Sequence, residues 1–307
     1  MAHRSAATGM RDTGDASDNF EINLQSDADA SIARVFFEGE WHGDLDEARD
    51  LLSSVSGALA NRGRLDFLVL YGGFLVLPWP DTVKRWSVGD PVSPPSKIVD
   101  QLLDYGESNF RHLVGGAIGR RLGKVTRHIT MGVDLYFFMG SVWDPHAELT
   151  FAADLDTGQV WRTGKSYPNP RQQHGLIRVA DLQSHFIDAG KRKVMLLGCH
   201  DMNMFSPRSA HNARGWRSDT IREFKRLTAE KNPDLLIWHP HKSDTPRTWL
   251  AGLCGLKRGL PGISYAGAGI YYNDGMAPRA SLSKVLQGTK NIATLDIVVK
   301  RKRESRP

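Results

Sequence analysis

The feature that most constrains this chain is a repeated alternation of apolar runs with an amphipathic stretch near its start. ARVFFEGEW reads as a buried strand, and Asp44 then opens a helix with Glu47 three residues later, the pattern of a capping box. Leu45, Ala48, Leu51, Leu52, Val55 and Leu59 follow at helical spacing, so one face of that helix is buried. After the turn NRGR, the run LDFLVLYGGFLVLPW reads as a central strand. Strand, helix, strand in this order predicts a parallel pair with a right-handed crossover, and hence an α/β fold.

Downstream, WPDTVKRWSVGDPVSPPSK carries four prolines and reads as a loop, followed by a helix from Lys97 to about Leu113. DLYFFMGSVW, AELTFAADLD and QVWRTGK are three strands joined by short turns, a meander. KVMLLGC is a further buried strand, a helix covers Thr220 to Glu230, and PDLLIWHPH returns to the sheet. GISYAGAGIYYNDG and NIATLDIVVKRKR read as closing sheet elements. Residues 1–30, rich in Ser, Asp, Ala and Gly, are expected to be a disordered leader, 31–300 one domain, and 301–307 a basic tail.

Composition narrows the function classes. There are 40 Lys and Arg against 34 Asp and Glu, a net charge of +6, and the terminal KRKRESRP supplies much of that excess. A solvated terminus explains it, no aromatic-basic RNA-binding motif or finger spacing occurs, and nucleic acid is not an expected partner. No run of about 18 apolar residues predicts a membrane span, and the first residues lack the apolar centre of a secretory signal. The expected compartment is therefore cytoplasmic. Two cysteines, Cys199 and Cys254, are too few for a disulfide scaffold or a four-thiolate zinc site, so two reduced thiols and no cofactor are expected.

Cys199 has the setting of a nucleophile, at the point where the apolar strand Val194 to Leu197 gives way to Gly198 and a polar stretch. Cys254, in the run LAGLCGLKRGL, reads as core filler.

Three segments, in this order, resemble the nitrilase or carbon-nitrogen hydrolase superfamily: ARVFFEGEWHGDLDEARDLL, FMGSVWDPHAELTFAADLDTGQVWRTGKSYP and KVMLLGCHD. The resemblance covers roughly residues 32–303, with PDLLIWHPHKSDTPRTW and IATLDIVVKRKR similar to later strands of the family. It implies a four-layer αββα sandwich, a homo-oligomer, and a Glu, Lys and Cys triad acting on a small molecule. The alignment puts the lysine at Lys165, the cysteine at Cys199, 34 residues later, and the glutamate at Gly73. The general base is thus missing, and no acidic residue lies between Asp66 and Asp81 to replace it. A thiol of ordinary pKa near about 8.5 stays mostly protonated at neutral pH, and losing a general base removes roughly a hundred- to ten-thousandfold in rate. Glu38 or Glu40 at the end of the first strand, or His200 beside the cysteine, are the candidate substitutes.

Two other readings compete. GEWHGD, LLGCHD and WHPH loosely resemble the metal corners of calcineurin-like metallophosphoesterases, which would make His42, Asp201, His239 and His241 metal ligands. Against this, the bridging aspartate would fall on Gly73 and the asparagine on Cys199. The third reading is a non-catalytic nitrilase-like binding protein that has lost its base. The first reading is a hydrolase or acyltransferase at a nonpeptide carbon-nitrogen bond.

Overall fold

The computed structural model describes residues 19–138, 141, 143–243, 247–271 and 280–302. The chain enters through strand β1 (Phe20–Ser26) and the buried β2 (Ile32–Glu38), then helix α1 (Leu45–Leu59) leads to β3 (Leu65–Val69) and β4 (Leu75–Pro78). Helices α2 (Ser96–Val114) and α3 (Gly116–Val125) precede the antiparallel β5 (Thr126–Tyr136), β6 (His146–Asp154) and β7 (Val160–Gly164). Next come β8 (Phe186–Ala189), β9 (Arg192–Gly198), α4 (Pro207–Asn212), α5 (Trp216–Lys231) and β10 (Leu235–His239). The remaining elements are α6 (Arg247–Gly259), β11 (Ser264–Gly267), β12 (Ile270–Tyr271), α7 (Leu282–Gly288) and β13 (Thr294–Arg301).

Two sheets result, one ordered β1-β13-β2-β3-β5-β6-β7 with β12 on β2 and β4 on β5, the other β11-β10-β9-β8. Alternation along the strands explains how they stack. On β9, Val194 and Leu196 face inward and join Ile32, Phe67, Val69 and Ala152 of the large sheet in the core between the sheets. Met195 and Leu197 face outward and pack with Phe224 and Leu227 of α5 and Leu253 and Leu256 of α6. On the far face of the large sheet, Leu51 and Val55 of α1, Phe110 of α2 and Leu122 of α3 close a third core. The order is helices, sheet, sheet, helices: the four-layer αββα sandwich.

The β2-α1-β3 unit is parallel as the pattern requires, and Asp44 caps α1 by accepting from the Asp46 and Glu47 N–H groups. Glu47 reaches back one step further than a capping box does, its Oε2 accepting from the N–H groups of His42 and Gly43.

Three expectations change. The expected single strand over LDFLVLYGGFLVLPW is two, β3 and β4, because the chain turns at Gly72 and Gly73. A Cβ on Gly72 would lie 2.6 Å from the His239 carbonyl oxygen, so only glycine lets the turn pass so close to β10. Secondly, GISYAGAGIYYNDG contributes one strand to each sheet, β11 to the small and β12 to the large. Lastly, the leader expected over 1–30 overlaps β1, which pairs antiparallel with β13. Its apolar signal is confined to Phe20, Ile22 and Leu24 at alternate positions, too short a run to stand out among polar residues. Residues 1–18 and most of the tail, 303–307, lie outside the described residues. No helix among the described residues is long and apolar enough to cross a membrane.

Candidate active site

The neighbouring parallel strands β9 and β10 end side by side, Gly198 opposite His239. Their carboxyl ends therefore deliver Cys199 and His241 to one place, as strand ends do in open α/β sheets. Facing them across the sandwich, β5 and β6 run antiparallel with Asp134 directly opposite Glu148. Both are almost fully buried, 2% and 7% exposed. Two carboxylates facing each other on adjacent strands repel, the more so away from water, so the pair persists only where cations lie between them.

Two cations do. Lys165, just beyond β7 and 1% exposed, ion-pairs through Nζ with Glu148 Oε2 and donates to Gln172 Oε1 at 3.2 Å. Gln172 closes the ring by donating from Nε2 to Glu148 Oε1 at 2.9 Å. Burial works against charge on the Lys165 ammonium, but Glu148 and then Cys199 outweigh it and raise its pKa. Burial likewise opposes charge on Glu148, and Lys165 and His241 reverse that, holding the carboxyl well below its usual range.

His241 sits between the acids, Nε2 2.8 Å from Asp134 Oδ2 and Nδ1 3.7 Å from Glu148 Oε2. Burial disfavours the imidazolium, yet Asp134 and Glu148 together lift its pKa well above that of a free histidine. Cys199 adds to the pull on its proton. The Tyr136 hydroxyl donates to Asp134 Oδ2 at 3.3 Å, while Asp134 Oδ1 is buried with no partner among the described residues. Asp134 belongs to the wall of a cleft of about 420 Å3, also lined by Trp41, Gly73, Tyr136 and His241.

Lys165 and Cys199 are held together by Asp201. Its Oδ1 accepts from the Ser166 and Tyr167 N–H groups at 3.0 and 2.8 Å, and its Oδ2 accepts from Gly198 N–H at 3.1 Å. One buried carboxylate thus clamps the residue after Lys165 to the residue before Cys199. Gly198 leaves room for that carboxylate, since a Cβ there would lie 3.1 Å from Asp201 Oδ2. Cys199 is partly buried, its carbonyl accepting from Trp238 Nε1 at 3.4 Å; Cys254 is exposed, and both are free thiols.

The candidate substitutes for the missing base sit elsewhere in the network. Glu38 ion-pairs with Lys300 at 2.9 Å, and Glu40 is exposed on the cleft wall. His200 meets Asn169 Nδ2 at 3.4 Å and Asn203 Nδ2 at 3.5 Å. Burial, then Lys165, pushes its pKa down to about 4, so the ring is neutral near pH 7.

The four residues of the metal reading are dispersed, which corrects it. His42 meets Arg301 at 3.0 Å on the surface, Asp201 is spent on backbone N–H groups, and His239 is bound to Leu197 O and Thr130 Oγ1 at 3.2 and 3.0 Å. Among the described residues no group of three or more His, Cys, Asp or Glu is placed to hold a metal ion.

Asp134 and Glu148 are absent from the sequence reading. Their signal was present, since each is an acid flanked by apolar residues within a strand, Val133 and Leu135 or Ala147 and Leu149, where burial demands a partner.

No family model and no curated protein matches the sequence. Solved structures do. A cysteine-to-alanine variant of the Nesterenkonia AN1 amidase, described as from the nitrilase superfamily, has a TM-score of 0.50 at 13% identity, over 91% of this chain and 94% of that one. The same type of variant from Nesterenkonia sp. AN1 in complex with butyramide gives 0.51 at 13%, over 90% and 93%. A glutamate-to-leucine variant with the acetamide moiety of fluoroacetamide on its active-site cysteine gives 0.51 at 14%, over 91% and 93%. The αββα sandwich of this chain is therefore of the nitrilase-like class. Its structural neighbours are amidases with an active-site cysteine, and this chain is a divergent example of their fold.

Proposed function

We propose that the protein is a hydrolase or acyltransferase acting on a nonpeptide carbon-nitrogen bond of a small molecule, with Cys199 as nucleophile. The observation that carries this reading is the Asp201 clamp that holds the residue after the buried, Glu148-paired Lys165 to the residue before Cys199. The Cys199 sulfur attacks the carbonyl carbon, and a thioester forms as the carbon-nitrogen bond breaks. Lys165, kept charged by Glu148 and fixed by Gln172, stabilises the negative charge that develops on the carbonyl oxygen. Water or a second acceptor then releases the acyl group. A cleft of about 420 Å3 suits a small substrate, and the butyramide and acetamide groups bound to the Nesterenkonia amidase support an amide.

The test is ammonia release from a panel of short aliphatic amides, nitriles and ureido acids. Turnover in the native chain and none in Cys199→Ala is the expected result. Equal turnover in that variant removes the nucleophile and the reading with it.

A further inference from the structure

We propose that His241, oriented by Asp134, is the general acid and base of this site, in place of the glutamate that Gly73 lacks. This rests on Cys199 as the nucleophile and goes beyond it by assigning the path of the proton.

The argument begins at Gly73. A Cβ there would lie 3.0 Å from Asp134 Oδ2 and 3.0 Å from His241 Cδ2, and the residue has φ +64°. Any longer side chain would have to occupy the volume that the imidazole and carboxylate already fill. The glycine and the His–Asp pair are thus one arrangement: the turn that carries no base makes room for a base just beyond β10, held by an aspartate of β5. Nucleophile, base and orienting group then stand in sequence, Cys199 and His241 just beyond the adjoining ends of β9 and β10 and His241 Nε2 2.8 Å from Asp134 Oδ2. This order is the general form of an activated nucleophile.

Asp134 and Glu148 increase the affinity of the ring for a proton, which favours transfer from sulfur to imidazole. Lys165 is committed to Glu148 and is a poor acceptor while charged.

The proton path closes. Because His241 already carries its proton beside Asp134 and Glu148, the proton of Cys199 rests on the ring before attack, and the sulfur bonds to the carbonyl carbon as a thiolate. When the carbon-nitrogen bond breaks, the imidazolium gives that proton to the leaving nitrogen, releasing ammonia or an amine and leaving a thioester. Water attacks the thioester carbon as the now neutral His241 takes one of its protons. The carbon-sulfur bond breaks, a carboxylic acid leaves, and the thiolate and imidazolium are restored. His241 is the catalytic residue; Asp134, which acts through it, is a positioning residue.

The titratable groups around the ring are Asp134 and Tyr136 of β5, Glu148 of β6, Lys165 beyond β7, Cys199 and His200 beyond β9, His239 of β10, and Glu40, His42 and Lys242 along the cleft. The pH readout therefore compares variants of one chain. With iodoacetamide and peptide mapping, Cys199 alkylation is timed at about pH 6.5 and about pH 9.5, where an ordinary thiol ionises unaided. His241→Asn is expected to slow it about tenfold or more at the lower pH and less than about twofold at the higher. Asp134→Asn, close in shape, gives an intermediate loss with the same pH pattern. Where loss of one partner leaves the other charge buried and unfolds the chain, the double variant Asp134→Asn with His241→Asn removes both charges and is expected to match the His241→Asn rates.

A folded His241→Asn or double variant that alkylates at the native rate at both pH values overturns the proposal. A native chain whose Cys199 reacts no faster than Cys254 fails earlier and separately, because it removes the nucleophile itself.

Discussion

Two of the buried ion clusters on the large sheet are built differently. At one end Arg34 of β2 lies opposite Asp296 of β13 and is saturated: Nε donates to Asp296 Oδ1 at 2.8 Å, and the remaining nitrogens donate to Gly267 O, Thr289 Oγ1 and Leu286 O between 2.7 and 3.0 Å. At the other end Asp134, Glu148, Lys165 and His241 alternate in charge, but Asp134 Oδ1 has no partner among the described residues and the His241 side chain is 26% exposed beside a cleft. A network with every donor matched ties α7 and the closing strand to the sheet. One whose imidazole stays partly exposed at a cleft wall keeps capacity for a substrate. Charge burial alone therefore does not mark an active site; a charged group left open to a cavity does.

The sharpest way to break this contrast is Cys199→Ala. Turnover of any responsive amide should vanish while the melting temperature changes little, since one small side chain replaces another; a folded variant with residual amide hydrolysis would put the reaction elsewhere.

Truncating one cation at each end compares the clusters directly. Arg34→Met and Lys165→Met each take the closest cation from a buried carboxylate and should cost up to about 3–5 kcal/mol in urea unfolding. Only Lys165→Met should also slow Cys199 alkylation, and a comparable slowing in Arg34→Met would erase the distinction between structural and chemical clusters.

Acid titration gives a smaller effect. Burial pushes His239 down to about 4, and His200 likewise, so both stay neutral in the folded chain while the unfolded chain protonates near 6.5. Their contribution is present above about pH 6.5 and lost as pH falls toward 4, about 3 kcal/mol for the fully buried His239. His241 has the opposite sign: its pKa is raised, so its contribution is full below about pH 6.5 and lost as pH rises through the folded value. Unfolding free energies measured across pH should peak between these limbs, and His239→Gln should flatten the acid limb alone. A flat profile in the native chain would contradict both assignments.

The smallest effect is expected from Gly73→Ala, about 1–2 kcal/mol, from the positive φ and the 3.0 Å approach to the His–Asp pair. A neutral or stabilising outcome would mean that the turn is less crowded than its geometry indicates.

The sequence made the scaffold readable where periodicity and burial coincide. The β2-α1-β3 unit, the meander β5 to β7 and the strand before Cys199 all follow from apolar spacing. Lys165 and Cys199 were readable because each ends a strand in a resemblance that preserves their order. The base was not, because a search for it along the Gly73 segment sees only neighbours in the chain, whereas His241 and Asp134 stand 107 positions apart and meet only when the two sheets stack. The two strands in LDFLVLYGGFLVLPW were hidden for a related reason, as Gly72 turns to clear a carbonyl of β10, which no local pattern announces.

The central claim is that its surroundings, not its accessibility, govern the reactivity of Cys199. The direct measurement is a time course of iodoacetamide labelling of the native chain at about neutral pH, with Cys199 and Cys254 quantified as separate peptides. The account predicts that partly buried Cys199 labels faster than exposed Cys254. Faster labelling of Cys254, in the order that exposure alone would set, would contradict it.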